Sequence, residues 1–329
     1  MTDKAIANSL EELIGNTPII RLSRFCQSEN LKHTILGKCE FLNPGGSVKD
    51  RIAFHMVRKA EETGKLKPGG TIIEATAGNT GIGLAQVAAV RGYKLITVMS
   101  EKVSKDKVNF LRALGAETVV LPGGKPISDP DNFMNRARKM AEDTGAWLAN
   151  QFYNETNAEA HYQSTGPEVW TQTGGEVDAL VAGVGTGGTL SGTGRYLKEQ
   201  KREVQVVLAD PIGSSLADLV EGNESKSGSY LVEGIGQDFI PGNFDISLVD
   251  DVVRVADKDA VAMSKKVLAT EGLFLGSSSG CIIAAAVEYS RRLSGENKNI
   301  VAILPDGGRG YLSTIYNEEW LSLKLGQTQ

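Results

Sequence analysis

The feature that most constrains this 329-residue chain is an alternation: short apolar, β-branched runs recur between longer stretches whose apolar residues fall at helical spacing. A strand, a helix and a second strand in the same sense make a βαβ unit, and repeating that unit winds a parallel sheet with helices on its faces. The runs at 35–41, 71–76, 94–99, 117–121, 177–182, 204–209 and 299–304 read as strands. Phe133, Ala137, Met140 and Ala141 share one helical face, and Val108, Leu111 and Leu114 share another before Gly115 stops the helix. The proline-bearing segment 122–132, with Pro122, Pro126 and Pro130, reads as a loop. The length exceeds what one simple core organises. The expected class is therefore α/β, with two domains that each hold a mostly parallel twisted sheet flanked by helices and share a cleft. Residues 46–152 form the smaller, mobile domain in this reading, and 1–45 with 153–329 the larger.

A net charge of −5 and a pI near 5.5, with no basic stripe, argue against a nucleic-acid partner. No stretch approaches the roughly 18 apolar residues of a membrane span, and the start MTDKAIANSLEELIG has no apolar signal segment, so a cytoplasmic protein is expected. Cys26, Cys39 and Cys281 lack the spacing of a disulfide framework or zinc site and read as reduced core thiols. His33, His55 and His161 lack metal-binding spacing, so no metal is expected. Only the last few residues, LKLGQTQ, read as a disordered tail.

The chain's 38 glycines cluster. Gly183, Gly185, Thr186, Gly187, Gly188 and Thr189 lie between a strand and a helix, where several backbone N–H groups and the helix dipole can face a phosphate. Gly183, Gly185 and Gly188 also satisfy G-x-G-x-x-G, with Asp210 ending the next strand, so an NAD-dependent oxidoreductase stays open at this point. The run Thr76, Ala77, Gly78, Asn79, Thr80 and Gly81 opens another helix and suits either a carboxylate or a plain helix cap. In NPGGSVKDR, Lys49 follows a glycine turn at a helix start, where neighbouring dipoles disfavour the ammonium form; it is either a nucleophile toward an aldehyde or a surface lysine paired with Asp50 or Glu40. The turn Gly276, Ser277, Ser278, Ser279, Gly280 is either an N-cap or a donor to a ring nitrogen.

Taken together, IGNTPIIRL, NPGGSVKDR, EATAGNTGIGLA, NQFYN, TGPEVW, GVGTGGTLSG, EGIGQDFIP, EGLFLGSSSG and LPDGGRGYLST, in that order, resemble the cysteine synthase (O-acetylserine sulfhydrylase) and cystathionine β-synthase family of pyridoxal-phosphate enzymes. The resemblance covers nearly the whole chain and implies fold type II, similar to the tryptophan synthase β subunit. It implies pyridoxal 5'-phosphate as cofactor, carried as a Schiff base on Lys49. Asn79 then faces the ring hydroxyl, Gly185, Thr186, Gly187, Gly188 and Thr189 the phosphate, and Ser278 the pyridine nitrogen. Thr76, Ala77, Gly78, Thr80 and Gln151 hold the substrate carboxylate, and Gly234 lies beside the substrate amine. Two positions depart from the family pattern. TAGNT replaces TSGNT, so Ala77 offers an N–H without a hydroxyl, and LPDGG places Asp306 near the expected pyridine edge.

The implied reaction is β-replacement by a transferase or lyase type of enzyme. Acetate or water leaves Cβ of an amino-acid substrate, giving an aminoacrylate to which a sulfur nucleophile adds, and closure of the small domain shields it from water. Cysteine synthase, making L-cysteine and acetate from O-acetyl-L-serine and sulfide, is the first expectation. Cystathionine β-synthase, acting on serine or O-acetylserine and homocysteine, is the alternative. The family implies a homodimer.

Overall fold

The computed structural model describes residues 6–326 except 102, 104, 124, 126, 127 and 226; Pro126 and the final three residues of the expected tail therefore lie outside the described residues. Among the described residues, the strands are β1 (Ile19–Arg21), β2 (Thr34–Cys39), β3 (Thr71–Ala75), β4 (Lys94–Ser100), β5 (Glu117–Leu121), β6 (Trp147–Leu148), β7 (Ala179–Gly183), β8 (Gln205–Pro211), β9 (Asp251–Val255) and β10 (Asn299–Leu304). The α-helices are α1 (Ser23–Ser28), α2 (Lys49–Glu62), α3 (Asn79–Arg91), α4 (Lys105–Ala113), α5 (Phe133–Thr144), α6 (Thr156–Gln163), α7 (Thr165–Gln172), α8 (Gly188–Gln200), α9 (Leu216–Val220), α10 (Asp257–Glu271), α11 (Ser277–Arg292) and α12 (Glu318–Leu325). β2 ends at Cys39, where a 3-10 turn over Glu40–Leu42 takes residues expected to extend the strand. β1, β6 and β9 were absent from the sequence expectation, the first two because they are only three and two residues long.

The chain divides into two compact units. One takes the N-terminal segment through Ile14 with Asn43–Ala160, the other Gly15–Leu42 with His161–Gln329. The segment before Gly15 joins the first unit rather than the larger one, as a specific contact explains: Arg91 Nη2 donates to Glu11 Oε2 at 3.0 Å.

In the first unit the strand order is β5-β4-β3-β6, all parallel. Alternate residues face opposite sides, so Ile72, Leu95 and Met99 join the core of α2, α3 and α4, while Ile73, Ala75 and Val98 meet α5. The second unit has the order β1-β2-β10-β7-β8-β9, parallel apart from the antiparallel β1–β2 pair. Ile300, Ala302 and Leu304 pack with α1, α10 and α11, and Val301 and Ile303 with α7 and α8. A sheet covered on both faces needs apolar residues at consecutive positions, which is why these strands read as continuous apolar runs.

A buried ammonium ties parts of the second unit together. Lys38 on β2 is fully buried, and its Nζ donates to Thr17 O and Glu168 Oε2, both at 2.6 Å, and to Gln172 Oε1 at 3.0 Å. Glu168 Oε1 also accepts the Asn16 N–H at 2.9 Å. The residues of the IGNTP and TGPEVW motifs are thus tied to each other through one ammonium. Removing one partner of a buried pair strands the other charge, so Glu168→Ala should lower unfolding free energy by about 3 kcal/mol, read by urea denaturation. Gly83 of α3 faces α2 so closely that a Cβ there would lie 2.9 Å from Ala53 Cβ and 3.1 Å from the Lys49 carbonyl. Gly83→Ala should therefore destabilise by about 1–2 kcal/mol in the same assay, despite alanine's roughly 1 kcal/mol advantage in a helix.

Candidate active site

The residues singled out from sequence fall into two groups, one in each unit. In the first unit the turn at Asn43 is closed by the Gly46 N–H donating to the Asn43 carbonyl at 2.8 Å, with Gly46 at φ +81°, a left-handed value that glycine accepts without penalty. That turn delivers Lys49 as the first residue of α2, half-buried, its N–H donating to Ser47 Oγ at 3.2 Å.

β3 runs into the second loop. Gly78 is the N-cap of α3 and has no side-chain capping bond, so the first N–H groups of that helix, from Asn79 and Thr80, have no side-chain acceptor from the cap. The Gly78 N–H donates to Thr76 Oγ1 at 3.2 Å, and Ala77 between them is half-buried. The Thr80 hydroxyl donates to Gln151 Oε1 at 2.6 Å, which brings together two residues 71 positions apart. Gln151 follows Asn150, which holds φ +53°, a left-handed value asparagine tolerates better than most residues, and the Gln151 carbonyl accepts from Asn157 Nδ2 at 2.8 Å.

Next to this set lies Glu74, a lone acid in the run TIIEA that no spacing or motif singles out. It is 2% exposed, and its Oε2 accepts the Gln151 N–H at 3.4 Å. Burial pushes its carboxyl up to about 7, against hydrogen bonds from the backbones of Gln151, Asn150 and Ala75 and from the Gln151 carboxamide.

In the second unit β7 leads to α8 through the glycine loop. Gly187 is the helix N-cap at φ +90°, with no side-chain cap, so the N–H groups of the first turn of α8 are left for an anion. The glycines also admit a neighbouring segment. A Cβ on Gly187 would lie 2.6 Å from the Phe244 backbone nitrogen, one on Gly183 2.6 Å from Ile235 Cδ1, and one on Gly185 would overlap the Gly234 carbonyl. The Gly236 N–H completes the contact by donating to Val184 O at 2.8 Å. Gly188 is the first residue of α8, and Thr186 beside it is buried. Thr189 Oγ1 hydrogen-bonds His161 Nε2 at 3.1 Å, and His161 Nδ1 bonds Thr165 Oγ1 at 2.9 Å. His161, 1% exposed, thus anchors a hydroxyl at the start of α8, a role its sequence spacing did not signal.

The three serines that open α11 divide their tasks. Ser277 Oγ accepts the Glu233 N–H at 2.9 Å, and the Ser279 hydroxyl donates to Asp306 O at 3.3 Å. Ser278 is 2% exposed, and among the described residues no hydrogen bond engages its hydroxyl. A buried hydroxyl left in that state suits a ligand acceptor such as a neutral ring nitrogen. The Asp306 carboxylate accepts from Tyr311 Oη at 2.7 Å and lies against Gly276, so it is directed at the base of the serine turn.

The dinucleotide alternative fails at Asp210. It is fully buried, its Oδ2 accepting the Ala217 N–H at 2.9 Å, so the carboxylate is enclosed and is not presented to a ribose. Among the described residues no group of three His, Cys, Asp or Glu could hold a metal ion, and no helix is long and apolar enough to cross a membrane.

A phosphate-ready helix start, an unengaged buried hydroxyl and a helix-start lysine fit pyridoxal phosphate, and comparison with known proteins agrees. The chain is 46% identical over 98% of its length to cysteine synthase 1 of Neurospora crassa, covering 86% of that protein. It is 45% identical over 94% of its length to cystathionine beta-synthase of Apis mellifera, of which it spans 62%. The crystal structure of O-ureido-L-serine synthase superposes with a TM-score of 0.87 at 37% identity, covering 96% of this chain and 99% of that one. The model of the pyridoxal-phosphate dependent enzyme family matches residues 10–306, and the chain belongs to that family.

Proposed function

We propose that this enzyme is a cysteine synthase, replacing the acetate of O-acetyl-L-serine with sulfide to give L-cysteine. Ser278 carries the choice of β-replacement. A neutral hydroxyl opposite the ring nitrogen stabilises a protonated ring less than a carboxylate would, which disfavours transamination relative to loss of a group from Cβ. The near full-length likeness to cysteine synthase 1 of Neurospora crassa supports sulfide as the nucleophile.

When bound, pyridoxal 5'-phosphate supplies a conjugated ring that takes up the electron pair left at Cα. Lys49 holds it through Nζ and, once the substrate amine has taken its place, moves the Cα proton. Asn79 contacts the ring hydroxyl, while Gly185, Thr186, Gly187, Gly188 and Thr189 hold the phosphate. Thr76, Ala77, Gly78, Thr80 and Gln151 orient the substrate carboxylate, and Gly234 lines the position of its amine. Acetate leaves Cβ with the bonding pair, sulfide adds there, and Lys49 returns the proton to Cα. A cytoplasmic homodimer is the form we propose, on the family's expectation. The segment EGIGQDFIP and the 45% identity to cystathionine beta-synthase of Apis mellifera favour a second reading, with homocysteine as nucleophile.

Lys49→Ala should lower turnover of O-acetylserine with sulfide by at least about a thousandfold and abolish the borohydride-sensitive visible band of the purified protein; appreciable synthase activity in this variant would remove Lys49 from its role. In a steady-state panel of serine and O-acetylserine against sulfide, thiosulfate and homocysteine, kcat/KM should be highest for O-acetylserine with sulfide, whereas a clear preference for homocysteine selects the second reading. Gly187→Ala should weaken cofactor retention at least about tenfold in dialysis against phosphate, because the loop must move to clear Phe244.

A further inference from the structure

A buried carboxyl beneath a subsite meant for an anion needs explaining, since two negative charges in a dry environment repel. Glu74 lies on β3 just before the loop that begins at Thr76, and its Oε2 accepts the Gln151 backbone N–H at 3.4 Å. The residues linked to it are uncharged: Thr97, paired with it on β4, Asn150 and Gln151, and, through Gln151, Thr80 on α3 and Asn157 on α6. The ionisable groups of α2, the helix whose core includes Ile72 of the same strand, are Lys49, Asp50, Arg51, His55, Arg58, Lys59, Glu61 and Glu62; Asp50 accepts the Gly45 N–H, His55 and Lys59 face Glu159, and Glu61 accepts from Tyr93 Oη. None of them is among the influences on Glu74, which are burial and hydrogen bonds.

The hydrogen bonds among these residues have a direction. As they stand, the Thr80 hydroxyl donates to Gln151 Oε1 and the Gln151 backbone N–H donates to Glu74 Oε2, while the nearby Gln151 carboxamide favours the carboxylate form; the donors are turned inward and the Thr80 proton is used up. A protonated Glu74 reverses the chain: its O–H donates to Gln151 Oε1, Gln151 Nε2 donates to Thr80 Oγ1, and the Thr80 hydroxyl turns outward as a donor. We propose that Glu74 is a positioning residue that takes up a proton from solvent when the carboxylate of the amino-acid substrate binds, acting through Gln151 and Thr80. Charge and hydrogen-bond direction act in the same sense, because neutral Glu74 both removes the repulsion and frees a donor.

This inference rests on the proposed assignment of Thr76–Thr80 and Gln151 to the substrate carboxylate. It predicts that carboxylate affinity is highest with Glu74 protonated and falls as pH rises through its ionisation, near 7. L-alanine and ethylamine share the amine and differ by the carboxylate, so comparing them on the cofactor-loaded enzyme isolates the effect. The advantage of alanine over ethylamine should fall at least about tenfold between pH 6 and pH 9, equivalent to a bound-state ionisation raised by a unit or more. Calorimetry in buffers of different ionisation enthalpy should count proton uptake with alanine at pH 8 that is absent with ethylamine. Glu74→Gln, which is neutral and can donate to Gln151, should abolish both the uptake and the pH dependence. A flat alanine-to-ethylamine ratio in the unsubstituted enzyme, or equal proton uptake in the variant, overturns the proposal; the first measurement decides it even where the variant does not fold. If the loaded enzyme binds ethylamine but not alanine more tightly at any pH, the carboxylate assignment itself falls, and this inference with it.

Discussion

Parallel pairing is the constraint on which the rest of this structure depends. Strands that run the same way bring their carboxyl ends to one edge of a sheet, and each crossover helix then begins near that edge with unsatisfied N–H groups. In the first unit β3 therefore opens into the Thr76 loop and the start of α3. In the second, β7 opens into the Gly185 loop and the start of α8, and β10 ends at the turn carrying Asp306. Binding loops at these places are a consequence of the topology, and the side chains decide what is bound.

The glycines of these loops serve packing as much as ligand access. Gly183, Gly185 and Gly187 make room for the segment from Gly234 to Phe244, and Gly83 lets α3 rest on the turn of α2 that carries Lys49. A G-x-G-x-x-G spacing is therefore compatible with more than one ligand, since the same absence of side chains serves a pyrophosphate, a phosphate monoester or a neighbouring loop. Asp210 separates these possibilities here, because its carboxylate is enclosed.

Two of the buried ionisable groups, Lys38 and Glu74, differ in kind. Lys38 is surrounded by three acceptors, including a carboxylate, so its burial is compensated and serves the architecture. Glu74 is compensated only by hydrogen bonds, and its ionisation is displaced toward neutrality in consequence. A group left in that condition can change charge when its surroundings do, which is why it is of interest next to the proposed carboxylate subsite.

The sequence by itself determined the α/β class and the approximate position of seven strands, and it singled out the loops to which the proposal assigns the cofactor and the substrate. Strands buried on both faces must be apolar throughout, and a phosphate-binding turn must be rich in glycine, so both leave local traces. Tertiary structure alone decided that Ser278, among three adjacent serines, keeps its hydroxyl unengaged, that His161 anchors Thr189, that Glu74 underlies Gln151, and that Asp306 turns toward Tyr311. Each of these depends on a partner or a burial contributed by another part of the chain, and neither can be read from residue type and spacing.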